Sequence, residues 1–190
     1  DAVLHLTAPL PSATPDAGLA DLAPAAVDES QATWGLQAVR AVNSCRSGRG
    51  IRLAVLDTGF DLQHPDFAGR TIQSQSFIQG EAVQDGHGHG THCIGTSMGP
   101  KCARGTQRRY GVAYRAEIYS GKVLSNAGVG TDAQILAGIN WAVTNQCAVI
   151  SMSLGAPTAP GQAFSQVFET VASRAAQAEV ESLRVLLQDR

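Results

Sequence analysis

Three histidines lie close together among glycines in the segment DGHGHGTHCIGTSMG, which covers residues 85–99. They are His87, His89 and His92. Glycine lets the backbone approach another group closely and adopt positive φ without strain. An imidazole titrates near neutral pH and serves as a general base or as a metal ligand. The segment therefore predicts either catalysis or a metal site, followed by a buried helix over residues 92–98.

An acidic residue, Asp57, follows a nearly continuous apolar run at residues 51–56. Such a run is typical of a strand that is buried on both faces of a parallel sheet. Functional groups of open α/β sheets lie at the carboxyl ends of their strands, which makes Asp57 a candidate. The simpler alternative is that Asp57 only forms a tight turn with Thr58 and Gly59.

Further strands and helices are predicted around these residues. The patterns indicate strands at residues 71–77, 116–124 and 148–153, and an exposed loop at 99–111. Thr131 and Gln134 have the spacing of a capping box that begins a helix. A last amphipathic helix begins at Phe164 and includes Ala175. Strand, helix and strand in this order indicate a parallel α/β fold.

Composition excludes several classes of function. The formal net charge of −2 and the scattered basic residues give no footprint for nucleic acid. No run approaches the roughly 18 apolar residues of a membrane helix, and the N-terminus has no leader pattern. We therefore expect neither a nucleic acid nor a membrane as partner. Free thiols and one or two disulfides are both compatible with the four cysteines, whose pairing is open: Cys45, Cys93, Cys102 and Cys147.

Four motifs in one order resemble the subtilisin-like serine proteases, or subtilases. They are AVLDTGF with Asp57, the turn HPDF, HGTHCIGT with His89, and VISMSLG. The resemblance runs from about Trp34 to about Ala176. It implies an α/β fold with a doubly wound parallel sheet and helices on both faces, truncated at its C-terminus. We divide the chain into an Ala/Pro-rich linker or leader remnant (1–31), an incomplete peptidase domain (32–178) and an atypical tail (179–190).

The resemblance also implies roles for individual residues. Asp57 matches the triad acid and His89 the general base, in the order Asp, His, Ser of the family. His92 matches a second, non-catalytic histidine, and His87 matches nothing. Zinc bound by the three histidines is the alternative, but the sequence has no H-E-x-x-H pattern. Two segments match the walls of a cleft for an extended peptide or protein substrate: Gly128, Val129 and Gly130, and Ser153, Leu154 and Gly155.

Two family segments have no match in these residues, namely those that carry the oxyanion Asn and the nucleophilic serine. Ser97 in GTSMG imitates the nucleophile motif, but a helix that covered both residues would separate it from His89 by about 12 Å along its axis. We expect this chain alone to be inactive and to need a missing C-terminal half or a partner chain. The alternative is a non-catalytic, peptide-binding pseudoprotease module. The family implies no required cofactor, a structural calcium ion that Asp66 could bind, and a secreted or extracytoplasmic location.

Overall fold

A five-stranded parallel sheet lies at the centre of the fold. The computed structural model describes residues 3–6, 28–105, 107–155, 165–177 and 182–185. The order of the strands across the sheet is β3-β4-β2-β6-β8, and every neighbouring pair is parallel. The strands are β2 (Arg52–Asp57), β3 (Ile72–Ser76), β4 (Glu117–Lys122), β6 (Val149–Met152) and β8 (Ser182–Val185). Strands β3, β4 and β6 lie inside the segments that the sequence predicted, and β2 overlaps its predicted segment with a shift of one residue. The parallel α/β class is confirmed.

The central strand β2 is packed against helices on both faces. Leu53 and Val55 lie in a cluster with residues of α2 (His89–Met98). Ala54 and Leu56 point to the opposite face, because successive side chains of a strand alternate, and pack with α3 (Asp132–Thr144) and α4 (Gln166–Gln177). This double burial explains the continuous apolar run of residues 51–56 and confirms the doubly wound sheet.

Helix α3 begins with the predicted capping box. The backbone N–H of Gln134 donates to Thr131 Oγ1, and the N–H of Thr131 donates to Gln134 Oε1. Both bonds satisfy amides that the first turn of a helix leaves without partners. The buried face of the helix includes Ile135, Ile139 and Ala142, as the helical spacing predicted. This helix therefore covers one face of the sheet.

Helix α2 begins at His89, three residues earlier than the sequence predicted. Gly88 precedes it with φ of 97° and ψ of −18°, a left-handed conformation that is available to glycine at little cost. Helix α1 (Trp34–Ala38) and two short 3-10 helices (Ala41–Asn43 and Pro65–Phe67) complete the described helices. Within the described part of the chain, no helix is long and apolar enough to cross a membrane.

A second, three-stranded antiparallel sheet has the order β5-β1-β7. Its strands are β5 (Val129–Thr131), β1 (Val3–Leu6) and β7 (Leu154–Gly155). Strand β1 comes from the predicted linker, and β8 comes from the predicted tail, so both flanking segments contribute to sheets. Residues 7–27, 179–181, 186–190 and Phe164 lie outside the described residues, and the division at residues 31 and 178 remains a prediction.

Candidate active site

Asp57 is the last residue of β2, and its side chain is completely buried. The backbone N–H of Thr58 donates to its Oδ1 at 2.7 Å. Its backbone carbonyl accepts from the N–H groups of Val123 and Leu124, at 2.9 and 3.1 Å. Asp57 therefore lies at the carboxyl edge of the sheet, where hydrogen bonds fix both its backbone and its side chain. A residue that only formed a tight turn would not require a buried, hydrogen-bonded carboxylate.

His89 meets Asp57 from the first turn of α2. Its Nδ1 lies 2.8 Å from Asp57 Oδ1 and 3.0 Å from Oδ2. This hydrogen bond raises the pKa of His89 and, although burial opposes it, the charges of Asp57 and Asp85 act in the same direction. An imidazole that donates from Nδ1 to a carboxylate keeps Nε2 as a proton acceptor. The pair can therefore act as a general base supported by an acid.

Asp85 organises the turn that delivers His89. It accepts hydrogen bonds from the hydroxyl of Thr58 and, at Oδ2, from both the N–H and the hydroxyl of Thr91. The N–H groups of His87 and Gly88 donate to its Oδ1 at 3.0 and 2.8 Å. Burial raises the pKa of Asp85, but the hydrogen bonds that its carboxylate accepts lower it by more, so the net change is a lower pKa. Asp85 thus holds the start of α2 against the turn that follows Asp57.

Glycine is required where α2 touches that turn. A Cβ at Gly90 would lie 2.3 Å from the carbonyl oxygen of Gly59, a contact that real side chains do not make. The N–H of Gly90 donates to Thr58 Oγ1 at 2.9 Å. The absence of a side chain at Gly90 therefore lets the backbone of α2 approach the turn after Asp57 closely enough for His89 to reach Asp57.

The other histidines stand apart from this pair. The rings of His87 and His89 have centroids 6.3 Å apart, and His87 and His92 are both exposed. Among the described residues, the three histidines do not form a group with metal-binding geometry. Ser97 lies eight positions beyond His89 in α2, which separates them by about 12 Å along the axis, so Ser97 cannot reach the imidazole.

Cys93 lies beside the pair, one helical turn after His89. Its Sγ is 3.7 Å from His89 Nδ1 and 4.0 Å from Nε2. Donor atoms of Asp57, His89 and Cys93 lie within 4.8 Å of one another, the one such group found in the described residues. We do not assign a metal to it, because metals bind the thiolate and burial raises the pKa of Cys93 to about 12. His89 Nδ1 is also already bonded to Asp57.

All four cysteines are free thiols in the structure. Cys45 and Cys102 are exposed, Cys93 is half-buried and Cys147 is buried. Burial raises the pKa of Cys147 to about 12 as well. Of the two possibilities that the sequence left open, the structure therefore shows free thiols.

The two segments predicted to line a cleft lie on either side of strand β1. Val3, Leu4 and His5 pair with Thr131, Gly130 and Val129 on one side. His5 and Leu6 pair with Gly155 and Leu154 on the other side. A Cβ at Gly130 would lie 2.3 Å from the carbonyl oxygen of Val123. Gly128 precedes β5 with φ of 76°. Ser153, just before β7, lowers the pKa of the neighbouring Cys93 thiol, although burial raises it overall, so this segment adjoins the Asp57–His89 pair.

Asp66, the predicted calcium ligand, has both carboxylate oxygens engaged. The backbone N–H of Arg104 donates to Oδ1 at 2.7 Å, and the hydroxyl of Tyr110 donates to Oδ2 at 2.8 Å. Burial and the neighbouring Asp66 raise the pKa of Tyr110, which keeps this hydroxyl a donor. Calcium binding remains a prediction, and these contacts show a structural role for Asp66 without an ion.

Sequence reasoning missed three residues that the structure brings to the site. Asp85 lies just before the glycines, Cys93 is four residues after His89, and Lys122 is the last residue of β4. The helical spacing of His89 and Cys93 could have indicated their contact. No local pattern indicates that Asp85 and Lys122 meet the turn after Asp57, because those contacts join residues far apart in the chain.

Together these features define an acid–histidine pair beside a groove that holds an extended strand, at the carboxyl edge of a doubly wound α/β sheet. The profile of the subtilase family matches residues 48–186. The chain therefore belongs to the subtilase family, the subtilisin-like serine proteases.

Fungal proteases are similar to much of this chain. The cuticle-degrading protease of Metarhizium anisopliae is 39% identical over 143 residues, which cover 67% of this chain and 34% of that protein. Subtilisin-like protease 8 of Arthroderma benhamiae is 36% identical over 129 residues, which cover 62% and 25%. A subtilisin-like protease of Coccidioides posadasii is 38% identical over 138 residues, which cover 65% and 32%. The chain thus spans about a third or less of the relatives' lengths.

Proposed function

We propose that Asp57 and His89 are the acid and the general base of a subtilisin-like endopeptidase that hydrolyses peptide bonds with an Asp/His/Ser triad. The observation that carries this proposal is the bond from His89 Nδ1 to both oxygens of the buried Asp57. His89 Nε2 takes the proton of the attacking serine, and Asp57 stabilises the imidazolium that results. Correct placement of such a base is worth about a hundredfold to ten-thousandfold in rate.

The nucleophile and the oxyanion Asn belong, in this proposal, to polypeptide outside these 190 residues. Among the described residues, no serine hydroxyl hydrogen-bonds His89, and Ser97 lies at the far end of α2. We therefore expect the 190-residue chain alone to lack peptidase activity. A missing C-terminal half, or a partner chain that carries it, would complete the triad.

The test is labelling with a fluorophosphonate, which reacts with activated serines. In the longest polypeptide that the gene encodes, we expect labelling of one serine outside residues 1–190. The substitution His89→Gln abolishes labelling, and the matched substitution His87→Gln leaves it unchanged. Labelling that persists in H89Q, or that falls on Ser97, would contradict the proposed roles.

Substrate binds in an extended conformation, between β5 and β7. The support is strand β1, which already pairs antiparallel with both segments at Gly130 and Gly155. Main-chain hydrogen bonds of such a strand provide affinity, and pockets for alternate side chains provide preference. The same observation favours the second candidate, a module that binds peptides without cutting them.

Peptide binding can be measured on this chain after β1 is weakened. Leu4→Pro removes a backbone N–H within β1, since proline has no N–H to donate. We expect calorimetry to detect extended peptides binding to L4P more tightly than to the unmodified chain, and L4P with Gly130→Val to bind none. Equal binding by all three proteins would refute this location of the cleft. Binding to L4P without serine labelling of the longest polypeptide would favour the non-catalytic module.

Two further parts of the proposal come from family membership. If Asp66 holds a structural calcium ion, a chelator should lower the melting temperature of the protein. An unchanged melting temperature would contradict calcium binding. Location outside the cytoplasm predicts that antibodies against this chain detect it in culture medium or on the cell surface. Detection confined to cell lysate would contradict that location.

A further inference from the structure

Lys122 is a lysine whose side chain is fully buried, beside the catalytic pair. It is the last residue of β4, and its parallel partner across the sheet is Asp57. A buried ammonium is costly unless its protons are bonded to acceptors. Lys122 Nζ lies 2.5 Å from the carbonyl oxygen of Thr58, 2.8 Å from Asn126 Oδ1 and 3.2 Å from Glu81 Oε2. These three acceptors match the three protons of an ammonium group.

The three acceptors come from different segments of the site. Thr58 begins the turn after Asp57, Glu81 lies in the loop between β3 and the histidine segment, and Asn126 lies in the turn before β5. The N–H of Asn126 donates to Glu81 Oε2 at 2.9 Å, which closes the network. The buried ammonium group of Lys122 therefore joins the turn after Asp57, the loop before the histidine segment and the turn before β5.

The network also reaches the segment that carries His89. Asn126 Oδ1 accepts from the N–H of Gly86 at 3.0 Å in addition to Lys122. A Cβ at Gly86 would lie 2.7 Å from Cγ of Asn126, so a larger residue there would displace the Asn126 side chain. Thr58, held by Lys122 through its carbonyl, donates its N–H to Asp57 and its hydroxyl to Asp85. Both members of the pair are thus connected to Lys122 through one intermediate residue or turn.

We propose that Lys122 is a positioning residue, which acts through Thr58 and Asn126 to hold Asp57, His89 and strand β5 in one arrangement. Its described polar contacts go to Thr58, Asn126 and Glu81, and none of them goes to the imidazole. Its contribution is to fix the peptide groups that orient Asp57 and the turn that delivers His89. This inference goes beyond the proposed function, because it concerns the geometry of this chain and not hydrolysis.

The test measures the titration of His89 by NMR in the 190-residue chain, where no nucleophile is needed. Among the described residues, the titratable groups that face His89 are Asp57, Asp85, Cys93 and His87, and the variants leave these four in place. Loss of the Lys122 charge would by itself raise the His89 midpoint, so a fall in Lys122→Met can come only from a misplaced carboxylate that no longer favours the charged imidazole, and a fall is the result we expect. The matched control is Lys101→Met, which changes a lysine in an exposed turn and should leave the midpoint unchanged.

A second pair of variants keeps the test decisive if K122M does not fold. Asn126 is exposed, so Asn126→Leu leaves the core intact while it removes the oxygen that binds Lys122 and Gly86. Asn126→Asp keeps an oxygen in that place. We expect N126L to lower the His89 midpoint below that of the unmodified chain, whereas N126D keeps the oxygen and adds a carboxylate that favours the charged imidazole, so its midpoint should not fall. Equal midpoints in N126L and N126D, or an unchanged midpoint in folded K122M, would overturn the proposal.

Hydrogen exchange separates a positioning role from a general loss of stability. We expect amides of β5 and of Thr58 to exchange at least about tenfold faster in N126L, while amides of α3 around Ile139 keep their rates, since local opening does not require global unfolding. Uniform acceleration would show a merely structural role. An unmodified chain whose His89 midpoint is not raised would instead contradict the proposed function, so the two failures are distinguishable.

Discussion

The substitution Asp57→Asn tests the proposed acid–base pair of Asp57 and His89 most directly. Asparagine keeps an oxygen that can accept from Thr58 and from His89 but removes the negative charge. The folded structure raises the pKa of His89, and the hydrogen bond to Asp57 is the largest cause. We therefore expect D57N to return the His89 titration toward the ordinary value of 6.5.

The magnitude can be worked from the distance between the groups. Two unit charges about 3 Å apart attract each other by about 5 kcal/mol at an effective dielectric constant of about 20. Desolvation of the pair opposes this attraction, and the His89 side chain is still 26% exposed, so solvent screens part of it. The attraction therefore keeps its sign but not its full size, and each pH unit by which the His89 midpoint falls in D57N corresponds to about 1.4 kcal/mol.

The sign of the effect on stability follows from linkage. A histidine whose pKa is raised by folding stabilises the native state below its unfolded pKa, and this contribution is lost as pH rises through the folded pKa. The difference in unfolding free energy between the unmodified chain and D57N should therefore decline between about pH 5.5 and 9, by about 1.4 kcal/mol for each pH unit that separates their His89 midpoints.

The assays are an NMR titration of the imidazoles and urea unfolding at the two pH values. Asp132→Asn is the matched control, because it makes the same chemical change at the start of α3, far along the chain from His89. The reasoning is refuted if D57N and the unmodified chain share one His89 midpoint. It is equally refuted if their stability difference is the same at both pH values.

Three other substitutions or reactions test the surrounding structure. Thr131→Ala removes the cap of α3 and should lower the free energy of unfolding by about 1 kcal/mol, measured in urea, with Thr144→Ala at the other end of the helix as control. Gly90→Ala should destabilise the chain and also lower the His89 titration midpoint, because its Cβ would meet the carbonyl of Gly59; a normal midpoint in a stable G90A would contradict the close packing. A thiol reagent should react quickly with the exposed Cys45 and Cys102, and slowly with Cys93 and Cys147 until urea unfolds the chain. Fewer than four reactive thiols after unfolding would indicate a disulfide.

Much of the fold was predictable because its signals are local. The apolar run before Asp57 predicts a doubly buried strand, and the capping box at Thr131 fixes the beginning of α3 within the range that the structure shows. The start of α2 was predicted three residues late, because its first turn is held by Asp85 and Gly88 and carries no apolar periodicity. No glycine or proline marks a turn before β8, so no local signal predicted this strand. It pairs with β6 at the edge of the sheet, a contact that no local pattern indicates.

The sequence by itself determined the family, and it singled out Asp57 and His89 as acid and base candidates and two segments as candidate walls of a cleft. Residue type and spacing were enough for those inferences, since each motif lies within a few consecutive positions. The tertiary structure decided that Nδ1 of His89 meets Asp57 at 2.8 Å, that β1 occupies the space between β5 and β7, and that Lys122 joins three segments of the site. These contacts join residues from 32 to more than 100 positions apart, and only the packing of α2 and the order of the strands bring them together.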